Sequence, residues 1–199
     1  MARTIGSHGP TTLNAIHEAA LQLIFEHGYE AMSLRDLAGR VGIRVGSLYN
    51  HIETKQDLLF GLLCSHMEAL LAALDEAMAA VEAKGAKARL HAFVRFHVSY
   101  HITRKREVFI STSELRSLDT PQYDIIVRMR RRYEDHLIAI LQQGVGEGDF
   151  SIQDQDIPAA AYNLLGLLTS SLTWFHPGGR MSVEDLIALD TRMVLGAVA

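Results

Sequence analysis

Apolar residues recur along most of the chain at steps of three and four, which is the spacing of one face of an α-helix. In the first such segment, the residues on this face are Leu13, Ile16, His17, Ala20, Leu23, Ile24 and His27. Thr11 or Thr12 is suited to cap the start of this helix, and Gly28 is suited to end it. No segment alternates apolar and polar residues for long, so strands are not expected. The pattern predicts an all-α protein of about nine helices.

Two short helices are predicted next, over Ser33–Val41 and Val45–His51, with Gly42 ending the first. Ser33 can cap the first helix, and the carboxylate of Asp36 suits the positive end of the helix dipole. Two short helices joined by a tight turn indicate a helix-turn-helix unit, whose second helix lies in the DNA major groove. The second helix carries neutral hydrogen-bonding side chains that suit phosphates and base edges, namely Ser47, Tyr49, Asn50 and His51.

The apolar pattern lengthens after Thr54 and predicts one long helix to about Val81, which Lys84-Gly85 breaks. Further helices are predicted over about 86–103, 105–118, 121–143, 156–175 and 182–197. This order predicts an amino-terminal three-helix DNA-binding domain, residues 1–55, followed by a carboxyl-terminal helical bundle. The bundle spans residues 56–199.

Charge and composition narrow the function classes. The net charge of −4 argues against a protein that coats nucleic acid by charge alone. Residues 1–55, the predicted DNA-binding domain, hold five positive and five negative side chains and are therefore neutral. The single cysteine excludes an intramolecular disulfide and a zinc site built from cysteines. Met1–Pro10 lacks the apolar run of a signal peptide, and polar residues interrupt the apolar stretch Ile157–Phe175. We therefore expect a soluble, cytoplasmic protein with no membrane partner.

The segment from Ser33 to Leu59 resembles the amino-terminal domain of the TetR family of transcriptional regulators. It contains Ser33-Leu-Arg-Asp-Leu-Ala, Val41-Gly-Ile, Gly46-Ser-Leu-Tyr-Asn-His-Ile, Thr54-Lys and Asp57-Leu-Leu59. The resemblance implies a dimeric, all-helical repressor that binds double-stranded DNA at a palindromic operator and a small-molecule effector in its larger domain. By position, it implies DNA contacts, mostly to phosphates, from Ser33, Gly46, Ser47, Tyr49, His51 and Lys55.

Arg44, Val45 and Asn50 stand where the family varies or reads bases. Family members often have serine and then lysine or arginine where Arg44 and Val45 stand, which leaves the base-reading residues of this chain open. They often have phenylalanine in place of Ile52, a change that affects only core packing.

The second domain supplies candidate walls for a ligand cavity, since such cavities are mostly apolar with a few polar groups. The candidate ligand-binding residues are Phe96, Tyr100, Phe109, Met129, Tyr133, Asn163 and Trp174. Each of the bulky residues could instead belong to an ordinary core. Asn163 stands out because an amide in an apolar helix needs a hydrogen-bonding partner, either a ligand or a neighbouring helix.

The segment 156–175 is apolar on nearly all sides, which predicts a helix buried all round. In a small bundle, such burial favours contact with a second subunit across a twofold axis. The candidate dimer residues are Leu164, Leu168, Leu172, Leu186, Leu189 and Met193. The alternative is that these two helices complete the core of one protomer.

A looser resemblance links the second domain to TetR-type regulators that respond to acyl-CoA thioesters of lipid or sterol catabolism. Its residues are Glu114-Leu-Arg116-Ser-Leu118, Tyr133, Gly148-Asp-Phe150 and Trp174-Phe-His-Pro-Gly178. It implies a tunnel for an acyl chain and cations that meet the CoA phosphates, such as Arg104, Lys105, Arg106, Arg128 or Arg132. The run from Arg128 to Arg132 could equally be a solvated helix face.

Metal and cofactor chemistry have little support in the sequence. His97 and His101 stand four residues apart, as two zinc ligands would, but no third ligand is placed. No histidine follows a glutamate by three positions, which excludes a di-iron bundle enzyme. We therefore predict no cofactor and no metal, and the resemblance to the TetR family implies a ligand-responsive repressor. The alternatives are an efflux regulator that responds to cationic or aromatic drugs, and an all-helical enzyme or carrier.

Overall fold

The computed structural model describes residues 9–199, and all regular structure in this range is helical. The α-helices, in chain order, are α1 (Gly9–His27), α2 (Leu34–Val41), α3 (Val45–Leu48), α4 (Lys55–Ala79), α5 (Ala86–Thr103), α6 (Lys105–Ser113), α7 (Thr120–Gly146), α8 (Ile157–Trp174) and α9 (Val183–Val198). Short 3-10 helices precede α7 and α8, at Leu115–Ser117 and Asp154–Asp156. The all-α prediction, with about nine helices, is confirmed for the described residues.

The chain divides into two compact units, whose boundaries fall within α4 and α7 and just before Arg106. The first unit holds the residues up to His66 together with Arg106–Ile126. Its core contains Ile16, Ala20 and Ile24 of α1, the helix that packs against α2. The segment Arg106–Ile126 therefore packs with the DNA-binding unit, although the sequence placed it in the second domain.

The second unit holds Met67–Lys105 and Val127–Ala199. In this unit α5 packs against both α8 and α9. Phe93 of α5 is completely buried, and Arg95 forms a bidentate ion pair with Glu184 at the start of α9. The central position of α5 makes it the helix that organises this bundle.

Helix α4 is, among the described residues, the one helix long and apolar enough to cross a membrane by length and composition. Half of its most apolar stretch is buried inside the protein. Leu58, Leu59, Leu63 and Leu74 are almost wholly inaccessible, as in the core helix of a globular protein.

Candidate functional site

The turn between α2 and α3 is fixed by Gly42. This residue has φ +77°, in the left-handed region that favours glycine, and its N–H bonds back to the carbonyls of α2. The N–H of Ile43 donates to the Ala38 carbonyl at 3.0 Å, which satisfies a carbonyl at the end of the helix. The chain can therefore turn sharply and begin α3 two residues later.

Helix α3 and the residues that flank it contain the predicted DNA-reading residues and one buried residue, Leu48. Leu48 is completely inaccessible, whereas Tyr49 is 54% exposed and Val45 is 38% exposed. Arg44, Gly46 and Asn50 are also exposed, and Ser47 and His51 are half-buried. The structure thus brings the predicted residues together on one outward surface, which we call the recognition surface: Arg44, Val45, Gly46, Ser47, Tyr49, Asn50 and His51.

The second helix is shorter than the sequence predicted. It ends at Leu48 rather than His51, because the N–H groups of Asn50 and His51 bond three residues back, to the carbonyls of Ser47 and Leu48. Tyr49, Asn50 and His51 therefore lie in a tight turn. Their side chains emerge from that turn instead of continuing the helical spiral.

Ser33 and Lys55 already have partners within the chain. The Ser33 hydroxyl accepts from the N–H of Asp36 at 3.1 Å and donates to the Asp36 carboxylate at 2.6 Å, so it caps α2. The Lys55 ammonium donates to the Glu30 carbonyl at 3.1 Å and lies 4.4 Å above the centre of the Tyr29 ring. An ammonium has three donors, so one phosphate contact from Lys55 remains compatible with this arrangement.

Two of the predicted ligand-binding residues line an open cavity of about 460 Å³ in the second unit. Phe96 and Tyr100 form its aromatic wall, with ring centres 5.4 Å apart. The other lining residues are Ala77, Ala92, Arg95, Ser99 and Thr103. This mixture of apolar surface and a few polar groups suits a hydrophobic ligand.

Tyr133 lies in a buried polar cluster that the sequence did not predict. Its hydroxyl is 2.9 Å from Nδ1 of His97, and Nε2 of His97 is 3.2 Å from the Thr169 hydroxyl. His101 stacks on His97 with ring centres 3.8 Å apart and donates from Nδ1 to the His97 carbonyl. Burial lowers the pKa of His97 well below its usual value and raises the pKa of Tyr133, so both side chains are neutral.

The other four predicted ligand-binding residues lie elsewhere. Phe109 is 47% exposed and packs edge-on against Phe25 of α1 in the first unit. Asn163 and Trp174 are exposed on α8, so the prediction of an interior amide at Asn163 is wrong. Helical periodicity placed both residues in an apolar helix but could not show which side of it faces solvent. Met129 is half-buried on α7 and does not line the cavity of Phe96 and Tyr100.

The predicted dimer residues divide into two groups. Leu164, Leu168 and Leu186 are almost completely buried within one protomer, so they belong to its core and the prediction that they contact a second copy is wrong. Leu172 and Leu189 are half-buried, and Met193 is 48% exposed. Within one protomer helix α8 has an open side: Tyr162, Asn163, Gly166, Ser170, Thr173 and Trp174. Burial of this side by a second subunit, which the sequence suggested, stays a prediction.

The cationic residues of α7 remain available at the surface. Arg128, Arg131 and Arg132 are exposed, whereas Arg106 donates to the Gln22 side chain at 2.6 Å.

Among the described residues, no group of three or more histidine, cysteine, aspartate or glutamate side chains could hold a metal ion. The His97–His101 pair is used in stacking and hydrogen bonding.

Two family models match separate parts of the chain. Residues 16–62 match a family model described as bacterial regulatory proteins, tetR family. Residues 83–198 match a second model, described as tetracyclin repressor-like, C-terminal domain. The first match covers the recognition surface, and the second extends from the loop before α5 to the end of α9.

Several relatives match over nearly their full length. The HTH-type transcriptional repressor KstR2 of Mycolicibacterium smegmatis is 25% identical over 199 residues, covering 100% of this chain and 96% of the relative. A solved tetR-family regulatory protein from Rhodococcus RHA1 superposes with a TM-score of 0.87 at 26% identity, covering 94% of this chain and 97% of its own. AibR, solved with isovaleryl coenzyme A and operator DNA, has a TM-score of 0.77 at 26% identity, with 92% and 97% covered.

Proposed function

The chain belongs to the TetR family of transcriptional regulators, and from that premise we propose a homodimeric repressor that a hydrophobic effector of the acyl-CoA class releases from a palindromic operator. It is a helix-turn-helix regulator that binds DNA and responds to a small molecule. In this proposal residues 1–55 read the operator, and residues 56–199 bind the effector and the second copy. The proposal assigns the chain a cytoplasmic location and no catalytic activity.

The observation that carries the proposal is the recognition surface itself. The short helix α3 is held by the buried Leu48, and three residues that flank it, Arg44, Tyr49 and Asn50, are exposed. Arginine and asparagine suit bidentate contacts to guanine and adenine edges, and tyrosine suits a phosphate. The surrounding unit has the helix order of a major-groove reader, so these side chains supply the specific contacts.

The effector class is supported by the second unit. The cavity of Phe96 and Tyr100 offers an apolar wall for an acyl chain, and the buried cluster of Tyr133 and His97 offers hydroxyl and imidazole groups for a thioester carbonyl. The exposed arginines of α7 offer charge for phosphates. Isovaleryl coenzyme A bound to AibR shows that this ligand class occurs on a related chain.

A thermal-shift panel tests the effector class. We expect acyl-CoA thioesters to raise the melting temperature and the matching free acids and coenzyme A alone to raise it less, since each lacks one half of the ligand. Tyr133→Phe should reduce the shift, and the exposed Tyr123→Phe on α7 should not. Stabilisation by cationic or aromatic drugs, with none by acyl-CoA, would contradict the acyl-CoA assignment and support control of efflux.

We further propose that the second copy contacts the open side of α8 and an exposed stripe of α9. Tyr162, Gly166 and Trp174 lie on the first helix, and Met193 and Gly196 lie on the second. A Cβ atom built on Gly166 or Gly196 meets nothing within 4 Å in the protomer, so these glycines leave room for a close neighbour. Exposed tyrosine, tryptophan and methionine are residues that interfaces favour.

Gly166→Gln tests this surface. The protomer has room for the side chain, and glutamine favours a helix more than glycine does, so folding should be preserved. We expect the variant to be a monomer by light scattering and to lose operator binding. The matched control, Gly146→Gln at the end of α7, should remain a dimer. A dimeric Gly166→Gln protein would place the interface elsewhere.

A further inference from the structure

Sequence and packing assign the segment Arg106–Ile126 to different parts of the chain. By sequence it lies inside the match to the carboxyl-terminal family domain, residues 83–198. By packing it lies in the compact unit that also holds the recognition surface. A segment of the carboxyl-terminal family domain therefore packs in the unit that carries the recognition surface, where it contacts Tyr29, Gln56 and Asp57.

Three hydrogen bonds between residues far apart in sequence make these contacts. The Gln56 amide donates to the Ser117 carbonyl at 3.0 Å, and the Gln122 amide donates to the Asp57 carboxylate at 3.1 Å. The third contact is longer, because the N–H of Tyr29 lies 3.5 Å from Oε1 of Glu114. They join the segment to the end of α1 and to the first turn of α4.

Gln56 is the centre of this arrangement because both ends of its amide are occupied. Its nitrogen donates to Ser117, while its oxygen accepts from the Tyr29 hydroxyl at 3.3 Å. The same Tyr29 ring lies under the ammonium of Lys55, the residue immediately before Gln56. The position of Lys55, a predicted DNA contact, is thus set by a tyrosine and a glutamine that are themselves held by the segment Arg106–Ile126.

We propose that Gln56 and Glu114 are positioning residues for operator binding: they hold Lys55 and the first turn of α4 in the DNA-binding arrangement by hydrogen bonds to Tyr29 and Ser117. This inference rests on the proposed function. Neither residue is offered as a DNA contact, because the Gln56 amide is already bonded through its nitrogen to Ser117 and through its oxygen to Tyr29, and Glu114 carries the wrong charge for a phosphate. Both act through the residues they hold.

A ligand-free measurement of operator affinity tests the proposal. Gln56→Leu removes both bonds at similar size, and we expect it to weaken operator binding about fivefold to tenfold, the worth of one or two net hydrogen bonds. Gln56→Glu keeps the acceptor for Tyr29 but loses the donor to Ser117, so an intermediate loss is expected. Gln142→Leu, an exposed glutamine of α7, is the matched control and should bind like the wild type.

Variants at Glu114 test the same proposal at a second residue, and parallel measurements of folding exclude misfolding as the cause of a loss. Glu114→Gln keeps an oxygen that can accept from the N–H of Tyr29, so it should retain most of the operator affinity. Glu114→Ala has no acceptor there, so its operator affinity should fall. In the double variant Gln56→Leu/Glu114→Ala, a shared network predicts a loss smaller than the product of the two single losses. Melting temperature and dimer mass, measured in parallel, confirm that folded dimers are being compared.

The outcomes separate this inference from the proposed function. Operator binding by the wild type, with unchanged affinity in folded Gln56→Leu and Glu114→Ala dimers, overturns the positioning role and leaves the repressor intact. An equal loss in Glu114→Gln and Glu114→Ala also overturns it, since the retained acceptor should matter. Absence of specific operator binding by the wild type removes both proposals together.

Discussion

Leu48 and Tyr49 are neighbours in the chain but have opposite roles. Leu48 is completely buried and Tyr49 is 54% exposed, so a core residue and a predicted DNA contact are adjacent in the chain. This contrast explains why the candidate DNA contacts could be predicted from sequence. In and beside a short, polar helix with one buried apolar residue, most of the remaining side chains are exposed to solvent. Contacts to phosphates and bases require exposed hydrogen-bond donors, and the spacing of apolar and polar residues predicts which side chains are exposed.

Tyr49→Ala separates binding from folding. We expect operator affinity to fall by about tenfold or more, because a central contact is lost, while the melting temperature stays within a few degrees of the wild type. Fluorescence anisotropy on an operator fragment measures the first quantity and thermal unfolding the second. Tyr123→Ala, which removes another exposed tyrosine, serves as the control. Full-strength binding by Tyr49→Ala would show that the recognition surface is misplaced.

Asp190 is a buried carboxyl group that lowers stability at neutral pH. It is 5% exposed, one of its oxygens has no hydrogen-bonding partner, and burial raises its pKa to about 6. Because the folded protein holds this proton more tightly than the unfolded chain does, stability from this group is greatest below about pH 4 and is lost as the pH rises through 6.

Asp190→Asn should therefore stabilise the protein by about 1–2 kcal/mol at pH 7.5, since an amide carries no charge to desolvate. The advantage should shrink as the pH falls towards 4, where the wild-type carboxyl is protonated as well. Chemical denaturation at several pH values measures it. An advantage that is absent at pH 7.5, or that grows on acidification, would contradict this account.

At the scale of elements, the helices were predictable because their signals are local. The bounds of α5, α8 and α9 lie within about two residues of those predicted from apolar spacing and helix-stop residues. Ser33 caps α2 and Gly42 ends it as expected. The partners of each helix face could not be predicted in this way. Leu164 and Leu186 have the same apolar spacing whether the core of their own chain or a second copy covers them.

The end of α7 shows a constraint of this non-local kind. A Cβ atom on Gly144 would lie 1.9 Å from a ring carbon of Phe150, which is buried after the turn at Gly148. The glycine is therefore required by packing and not by its backbone angles. The helix predicted from the sequence ends at residue 143, before this glycine, whereas α7 continues to Gly146.

Gly144→Ala should destabilise the protein by at least about 1–3 kcal/mol, because the new methyl group displaces Phe150 from the core. Gly146→Ala is the matched control two residues away. Its Cβ meets nothing within 4 Å, so the variant should be neutral or slightly more stable. Denaturant titration compares the two. A Gly144→Ala protein as stable as Gly146→Ala would show that Phe150 does not pack against α7.

At the scale of the whole molecule, charge and assembly decide how DNA is bound. Residues 1–55 are neutral, and the excess of four negative charges lies in residues 56–199. Weak long-range attraction makes binding depend on specific contacts made twice, by two recognition surfaces in one dimer. The hydrogen bonds of Gln56 and Glu114 join residues 61 and 85 positions apart, which no local sequence pattern reveals.

Titration of a palindromic fragment from the region upstream of the chain's own gene, against a scrambled fragment of equal length, tests the central claim most directly. We expect two protomers to bind each palindrome, with an affinity about a thousandfold or more above that for the scrambled fragment. Addition of the acyl-CoA that best stabilises the protein should release the palindrome. Equal affinity for both fragments, or binding to neither by a folded dimer, would contradict the account.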